Sequence, residues 1–404
     1  MKFVVVTYGT EGDTRPLAAL SRSLLDSGHE VRLLADGAAL GSADALGVPA
    51  VPLAGDIKEG LQPSKESRPT DTARALARIA NANTESWLRQ VVSVGKGCDA
   101  IILSALASFV GLSAAEYLGV KAIGAGFLPI TPTADFSPPL LPPGVVPGWL
   151  NRASYGWVNS LVWRVLRKST NAARARVCRL PPRKKVWSTH PILYGVSPSL
   201  LPRPRDYPPN VYMCGQWVPP APEWSPPRDL VDFLAAGEPP VYLGFGSMAG
   251  LIQPGLLKEL IAAVSGRRVL FYPGWSDVSP SELPPGFFVV RDTPHHWLFP
   301  QTSLVIHHGG SGTTHSAARA GVPSVVLPLA GDQFFWANRL HELGVAPAPV
   351  KVRGLRAAAL ARSVEQAERA EVRARSVVLG AQMAAENGLA QAISAIERVM
   401  TIRA

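Results

Sequence analysis

The sequence predicts an α/β chain built as two doubly wound parallel sheets that face each other across a cleft. Three observations carry this. Short, apolar, β-favouring runs alternate with helical stretches over residues 2–125, the pattern of βαβ units and a parallel sheet. A proline-dense stretch over 217–227 interrupts the chain, and the alternation restarts beyond it. The 404 residues also exceed what one ordinary core takes up.

In chain order, residues 2–7, 30–35, 100–104 and 120–125 read as buried strands. Residues 14–27, 72–96 and 109–118 read as helices, with Gly28 and Gly119 as stops. From Leu128 the rhythm breaks. Residues 129–147 are rich in proline and apolar side chains, which suits neither a regular helix nor a central strand. A loop of that length at a strand end usually serves a function. Residues 149–176 read as a helix carrying Trp149, Trp157 and Trp163. The second half offers strands at 241–245, 269–272, 287–291, 304–307 and 324–329, with helices at 256–265, 312–320, 335–342 and 355–375. An alanine-rich helix over 387–403 ends the chain. The expected division is a domain over 1–215, a linker over 216–227, a domain over 228–385, and a final helix over 386–404 that can pack back on the first domain. In two Rossmann-like halves of this kind, ligands sit outside the carboxyl ends of the strands, so both sets of βα loops look into the cleft.

Composition narrows the class. A hydrophobic share of 47% with 17% charged residues is globular. The first apolar run is too brief for a signal peptide, and no stretch of about 18 apolar residues is long enough to cross a membrane. Cys98, Cys178 and Cys214 are odd in number and widely spaced, which fits a reducing cytoplasm without disulfides or structural zinc. The net charge is +10, and nine of the basic residues lie between Arg164 and Lys185 with no acid among them. Beside tryptophans, such a segment either makes peripheral contact with a membrane surface or forms a solvated face. No nucleic-acid motif accompanies it.

The richest stretch is His307-His308-Gly309-Gly310-Ser311-Gly312-Thr313-Thr314, followed by Gly321-Val322-Pro323 and Gly331-Asp332-Gln333. A strand, a glycine turn and a helix N-terminus make an anion site, because orphan N–H groups and the helix dipole both favour phosphate. Ser311 and Thr313 can add hydroxyl donors, Gly310 and Gly312 bare N–H groups, and His308 a ring N–H. The glycine pair taken alone is only a turn. The histidine pair suggests a metal, but adjacent strand residues point to opposite faces and no Cys or carboxylate stands at ligand spacing, so no metal is expected. Asp332 beside Gln333 offers the acceptor and donor groups that a sugar needs.

This string resembles the donor signature of the inverting glycosyltransferases of family one, enzymes with the two-domain architecture called GT-B. Within the family it resembles the bacterial antibiotic and sterol glycosyltransferase branch. The resemblance spans the chain and is densest in the final third and over residues 7–20. It implies that the loop Arg291-Asp292-Thr293-Pro294 frames the nucleotide base by main-chain contacts at Thr293 and Pro294. Plant members carry a tryptophan there, and its absence here removes a platform under the base. His295 and His296 gain no role and read as solvent-facing.

Two further turns carry chemistry. Tyr8-Gly9-Thr10-Glu11-Gly12-Asp13-Thr14-Arg15-Pro16 follows the first strand and is not G-x-G-x-x-G, so a dinucleotide site is not supported. Asp13 reads as an N-cap with Pro16 in the first helical turn, or as a general base at the cleft. The resemblance implies the base, since the antibiotic branch places an aspartate in a motif like Gly12-Asp13. Gly244-Phe245-Gly246-Ser247 can give the diphosphate an N–H and the Ser247 hydroxyl, the use the family makes of this serine. Trp336 packs either under the sugar or in the core. No D-x-D motif occurs. The leaving diphosphate is therefore expected to be met without a metal, by His308, hydroxyls, N–H groups and a dipole.

What the resemblance implies is a glycosyltransferase moving a hexose from a nucleotide diphosphate to a hydroxyl of a lipophilic small molecule, such as a sterol or polyketide aglycone. UDP-glucose is the first donor and a dTDP-deoxysugar the second, with no resident cofactor. The acceptor pocket is expected from the 129–147 loop and the tryptophan helix, with Thr10, Gly12, Phe127, Phe136 and Trp149 on it. The rivals are a nucleotide-sugar epimerase or phosphorylase on the same architecture, and a binding-only helper. The intact 308–313 and 332–333 sequences argue against the helper.

Overall fold

The computed structural model describes residues 1–57, 69–219, 224–246, 254–274 and 283–401. Seven parallel strands form the first sheet: β1 Lys2–Val6, β2 Glu30–Asp36, β3 Ala50–Leu53, β4 Ala100–Leu103, β5 Lys121–Gly126, β6 Ile192–Tyr194 and β7 Val211–Met213. Five form the second: β8 Val241–Gly244, β9 Val269–Tyr272, β10 Phe287–Val289, β11 Leu304–His307 and β12 Ser324–Val326. Their orders are β3-β2-β1-β4-β5-β6-β7 and β10-β9-β8-β11-β12. Each order reverses once, between β1 and β4 and between β8 and β11, and such a switch point is where a doubly wound sheet opens a crevice for ligands.

The longer helices are α1 Glu11–Asp26, α2 Pro69–Val94, α3 Ser108–Leu118, α4 Asn151–Ala173, α5 Arg228–Ala235, α6 Pro254–Ala263, α7 Ser311–Arg319, α8 Gln333–Glu342, α9 Ala357–Ala367, α10 Ala370–Ala384 and α11 Gly388–Thr401. Helices cover both faces of the sheets, which is why the strands are continuously apolar. Phe3 and Val5 of β1 enter one core with Leu17, Leu20 and Ile123, while Val4 and Val6 enter the opposite one with Trp87, Ile101 and Leu103. This is the two-residue alternation of a strand buried on both sides.

The chain crosses back at its end. Ala392, Ile396 and Val399 of α11 join the Phe3–Leu17 core of the first domain. Lys121 Nζ donates to the carbonyls of Val399 (2.7 Å) and Met400 (3.1 Å), a cation on the last carbonyls of the helix. The linker is anchored from its first residues. Trp217 is buried in that same core, and Gln216 Nε2 donates to Ser316 Oγ of the second domain at 3.2 Å.

Three strands go beyond the sequence expectation. β3 contains Pro52 and forms one edge of its sheet, a place where proline is tolerated. β6 and β7 have three residues each, too few for alternation to register. The strands expected over 287–291 and 324–329 end earlier, at Val289 and Val326. The helix expected over 355–375 is two, α9 and α10, with the corner at Glu368-Arg369. Arg267 holds Glu368 through two hydrogen bonds there, one of them 2.9 Å, a constraint from a residue about a hundred positions away.

Candidate functional site

The βα turn after β11 is built around its two histidines. His307 is fully buried, and its Nδ1 accepts the Gly309 N–H at 3.0 Å. Gly309 has φ +90°, and an added Cβ would meet Val326 Cγ1 at 2.8 Å and the Gln333 carbonyl at 3.0 Å. Only glycine suits that turn. His308 points the other way and is half-buried. Its ring lies against two glycine turns: a Cβ on Gly310 would stand 2.5 Å from Nε2, and one on Gly246 3.8 Å from Cε1. These turns follow the two strands that flank the switch point. His308 Nδ1 is buried without a hydrogen-bond partner among the described residues. Burial lowers the ring's pKa to about 4, so at neutral pH it is an uncharged donor.

The helix that follows opens uncapped. Gly310 is the N-cap, no acid stands in the first turn, and the first intrahelical bond runs from Thr314 N–H to the Gly310 carbonyl at 2.9 Å. The N–H groups of Ser311, Gly312 and Thr313 are therefore the orphan donors of the helix end. Gly312 is exposed, and no atom lies within 4 Å of where its Cβ would be. Ser311 departs from its expected use as a free hydroxyl, because Oγ donates to the Phe127 carbonyl of the first domain at 3.0 Å. Four residues on, buried His315 donates from Nδ1 to the Ser311 carbonyl (2.7 Å) and accepts at Nε2 from the Ser197 N–H (3.3 Å). One neutral tautomer serves both bonds. Sequence reasoning missed His315, whose partner lies 118 positions away. Ser247 lies outside the described residues.

Asp332 and Gln333 stand at the start of α8. Gln333 Oε1 accepts the N–H groups of Leu329 (2.7 Å) and Ala330 (3.0 Å), which leaves its NH2 as the group for a ligand. Asp332 Oδ2 accepts from Trp336 Nε1 at 3.0 Å. Trp336 is fully buried among Val326, Leu340 and Met383, so it belongs to the core and orients Asp332. Burial raises the Asp332 carboxyl to about 6.

Opposite them, α1 begins at Glu11, three residues earlier than expected, and its N-cap is Thr10 rather than Asp13. Asp13 is the third helical residue, and its Oδ2 accepts the Thr10 N–H at 2.9 Å, the returning half of a capping box. Pro16 consequently falls in the second turn, where it has no N–H to give the carbonyl of exposed Gly12. The Asp13 carboxyl occupies the space that a Cβ on Gly9 would need, so a larger residue there would displace it. Burial is the main cause that raises Asp13 to about 6, and the charge of Asp332 adds to it. Arg15, two residues on, reaches Asp292 Oδ1 of the other domain at 3.5 Å.

Thr293 is buried with its hydroxyl donating to the Arg291 carbonyl at 3.1 Å, and Pro294 opens a short helical turn. His296 is exposed, but His295 is not solvent-facing: it stacks on Phe299 with ring centres 4.2 Å apart. Of the expected acceptor residues, Phe127 packs edge-on against Trp217 (5.3 Å) and Phe136 meets Phe335 of the second domain (5.3 Å). Trp149 does not join them. It precedes α4 in a single turn and is 83% exposed. The basic run is also less free than expected. Arg174 is fully buried and bidentate on Glu116 (2.9 and 3.0 Å), Arg183 shares that carboxylate (3.2 Å), and Arg176 pairs with Glu85 (3.1 Å).

Three kinds of similarity bear on this site. A family model of the erythromycin biosynthesis protein CIII-like C-terminal domain matches residues 257–398. The chain is 32% identical over 421 residues to a sterol 3-beta-glucosyltransferase of Arabidopsis thaliana, covering 98% of this chain and 68% of that protein. It is 30% identical over 426 residues to a sterol 3-beta-glucosyltransferase of Neurospora crassa, covering 98% of this chain and 27% of that one. It thus spans about two-thirds of the plant relative and about a quarter of the fungal one. Among solved structures, the glycotransferase of kitacinnamycin superposes with a TM-score of 0.71 at 19% identity, and the glycosyltransferase VinC in complex with dTDP with 0.68 at 19%, each pairing covering 99% of both chains. At that identity the likeness is one of fold: two parallel-sheet domains about a cleft.

Proposed function

This chain belongs to the family-one UDP-glycosyltransferases and is a glycosyltransferase of GT-B architecture; from that premise we propose that it transfers glucose from UDP-glucose to the hydroxyl of a sterol or similarly lipophilic acceptor, with inversion at the reacting carbon. The observation that carries the mechanism is the pairing of Asp13 on one domain with an uncapped helix N-terminus and Asp332 on the other. In this reading Asp13 takes the proton of the acceptor hydroxyl. The acceptor oxygen bonds to the anomeric carbon as the bond to the diphosphate oxygen breaks. The charge left on the diphosphate meets the N–H groups of Ser311 to Thr313, the α7 dipole and the neutral His308 ring. Asp332 and the Gln333 NH2 hold sugar hydroxyls. One displacement on the face opposite the leaving group inverts that carbon. No resident cofactor enters the scheme.

The choice of glucose and of a sterol acceptor is supported by the plant and fungal relatives, whose names specify both. The test is to incubate the chain with UDP-glucose or a dTDP-sugar and a panel of sterols, macrolides and flavonoids, and to identify products by mass spectrometry and the anomeric configuration by NMR. A β-glucoside of a sterol from UDP-glucose is expected. Transfer only from the dTDP-sugar, only to water-soluble acceptors, or with retention would overturn the respective part.

A further inference from the structure

Helix α4 is apolar on two faces. Tyr155, Trp163 and Leu166 look inward and are buried, whereas Trp157, Leu161 and Val165 are 64%, 59% and 47% exposed. The exposed three are spaced four apart and form one stripe. Seven and eleven residues after Trp157, Arg164 and Lys168 continue the same stripe, both exposed. The helix has no acidic residue. The loop before it adds exposed Leu140, Val145 and Trp149. A surface helix in water keeps its apolar stripe for the core, and a clustered exposed patch marks an interaction site.

We propose that this face, from Leu140 through Lys168, docks the protein on an anionic phospholipid bilayer. Charge selects the occupant. The paired arginines Arg174, Arg176 and Arg183 are held by Glu116 and Glu85, but Arg164, Arg167 and Lys168 are exposed and make no ion pair among the described residues. Indole rings beside unpaired cations are the composition of a helix lying in the headgroup layer, and anionic lipid attracts such cations. The loop that leads into this face also reaches the second domain, with Phe136 against Phe335. If the acceptor is lipophilic, as proposed above, the bilayer is also its reservoir, but the docking surface stands without that reading.

The experiment is vesicle flotation of the full chain with neither donor nor acceptor, so that its result is independent of the reaction. The chain should float with vesicles containing phosphatidylglycerol, much less with pure phosphatidylcholine, and should be released as salt rises. Arg164→Gln with Lys168→Gln should weaken partition roughly fivefold per charge. Trp149→Ser with Trp157→Ser should abolish it without moving the thermal midpoint, because both side chains are exposed. Val377→Ser with Val378→Ser, on exposed residues of α10, should change nothing. No flotation with anionic vesicles, or equal flotation of the tryptophan variant, would overturn the proposal. So would a dimer in sedimentation velocity that the tryptophan variant dissociates while the parent ignores vesicles.

Discussion

Asp332, in the second domain, is close enough to Asp13, in the first, for its charge to raise the Asp13 pKa. Desolvation is the larger cause, and with the Asp332 charge included the Asp13 carboxyl stands at about 6, so the two halves of the cleft jointly set the strength of the acid. A carboxylate near 6 is a better proton acceptor than one near the ordinary value of about 3.9, yet it is ionised at neutral pH.

The rate should therefore follow that ionisation. The base is the deprotonated form, so kcat/KM should rise with pH through about 6 and level above it. Asp332→Asn removes a negative charge that disfavours ionisation of Asp13, so the limb should move to lower pH even as the KM for donor rises. A limb that stays or moves upward in that variant would show that the two carboxyls do not interact.

Asp13→Asn separates catalysis from capping. Asn can still accept the Thr10 N–H, so the thermal midpoint should barely change. It cannot take a proton, and turnover should fall by roughly 10²–10⁴. UDP affinity should hold, since the proposed nucleotide site lies on the other domain. Near-normal turnover in a stable variant would leave Asp13 as a capping residue only.

His308→Ala should cost roughly 10²–10³ in turnover, the value of one preorganised donor to developing charge. Burial keeps the ring neutral near neutral pH, so the variant should retain the acidic limb near 6. Gly310→Ala, whose Cβ would stand 2.5 Å from Nε2, should displace the ring and reproduce part of the loss. Normal turnover in His308→Ala would remove the ring from the diphosphate site.

Chelation tests the leaving-group apparatus. In the proposed mechanism the charge is met by N–H groups and a dipole, and among the described residues no three of His, Cys, Asp and Glu converge. Excess EDTA should alter the rate by less than about twofold, a barrier change within about 0.4 kcal/mol. Complete loss restored by magnesium would replace this account with a metal-assisted one.

Local signals in the chain determined the two parallel sheets, the glycine turn of residues 308–312 and the placement of Asp13, Asp332 and Gln333 where a strand hands over to a helix. Apolar runs and loop residues act over a few positions, so one chain segment states them completely. Tertiary structure decided what depends on distant partners. The short strands β3, β6 and β7 exist because neighbouring strands complete their hydrogen bonds, although three or four residues carry little periodicity. Ser197 gives His315 its role, Glu116 turns Arg174 from a surface cation into a core residue, and packing against Val326 and Met383 makes Trp336 a buried support for Asp332. Whether a tryptophan faces a cleft, a core or open solvent is likewise set by what covers it, and at Trp149 nothing in the described fold does. Burial raises the pKa of an acid by desolvating its charge, and burial is a property of the assembled fold, which is why the carboxyls could be located from the sequence while their acidity could not.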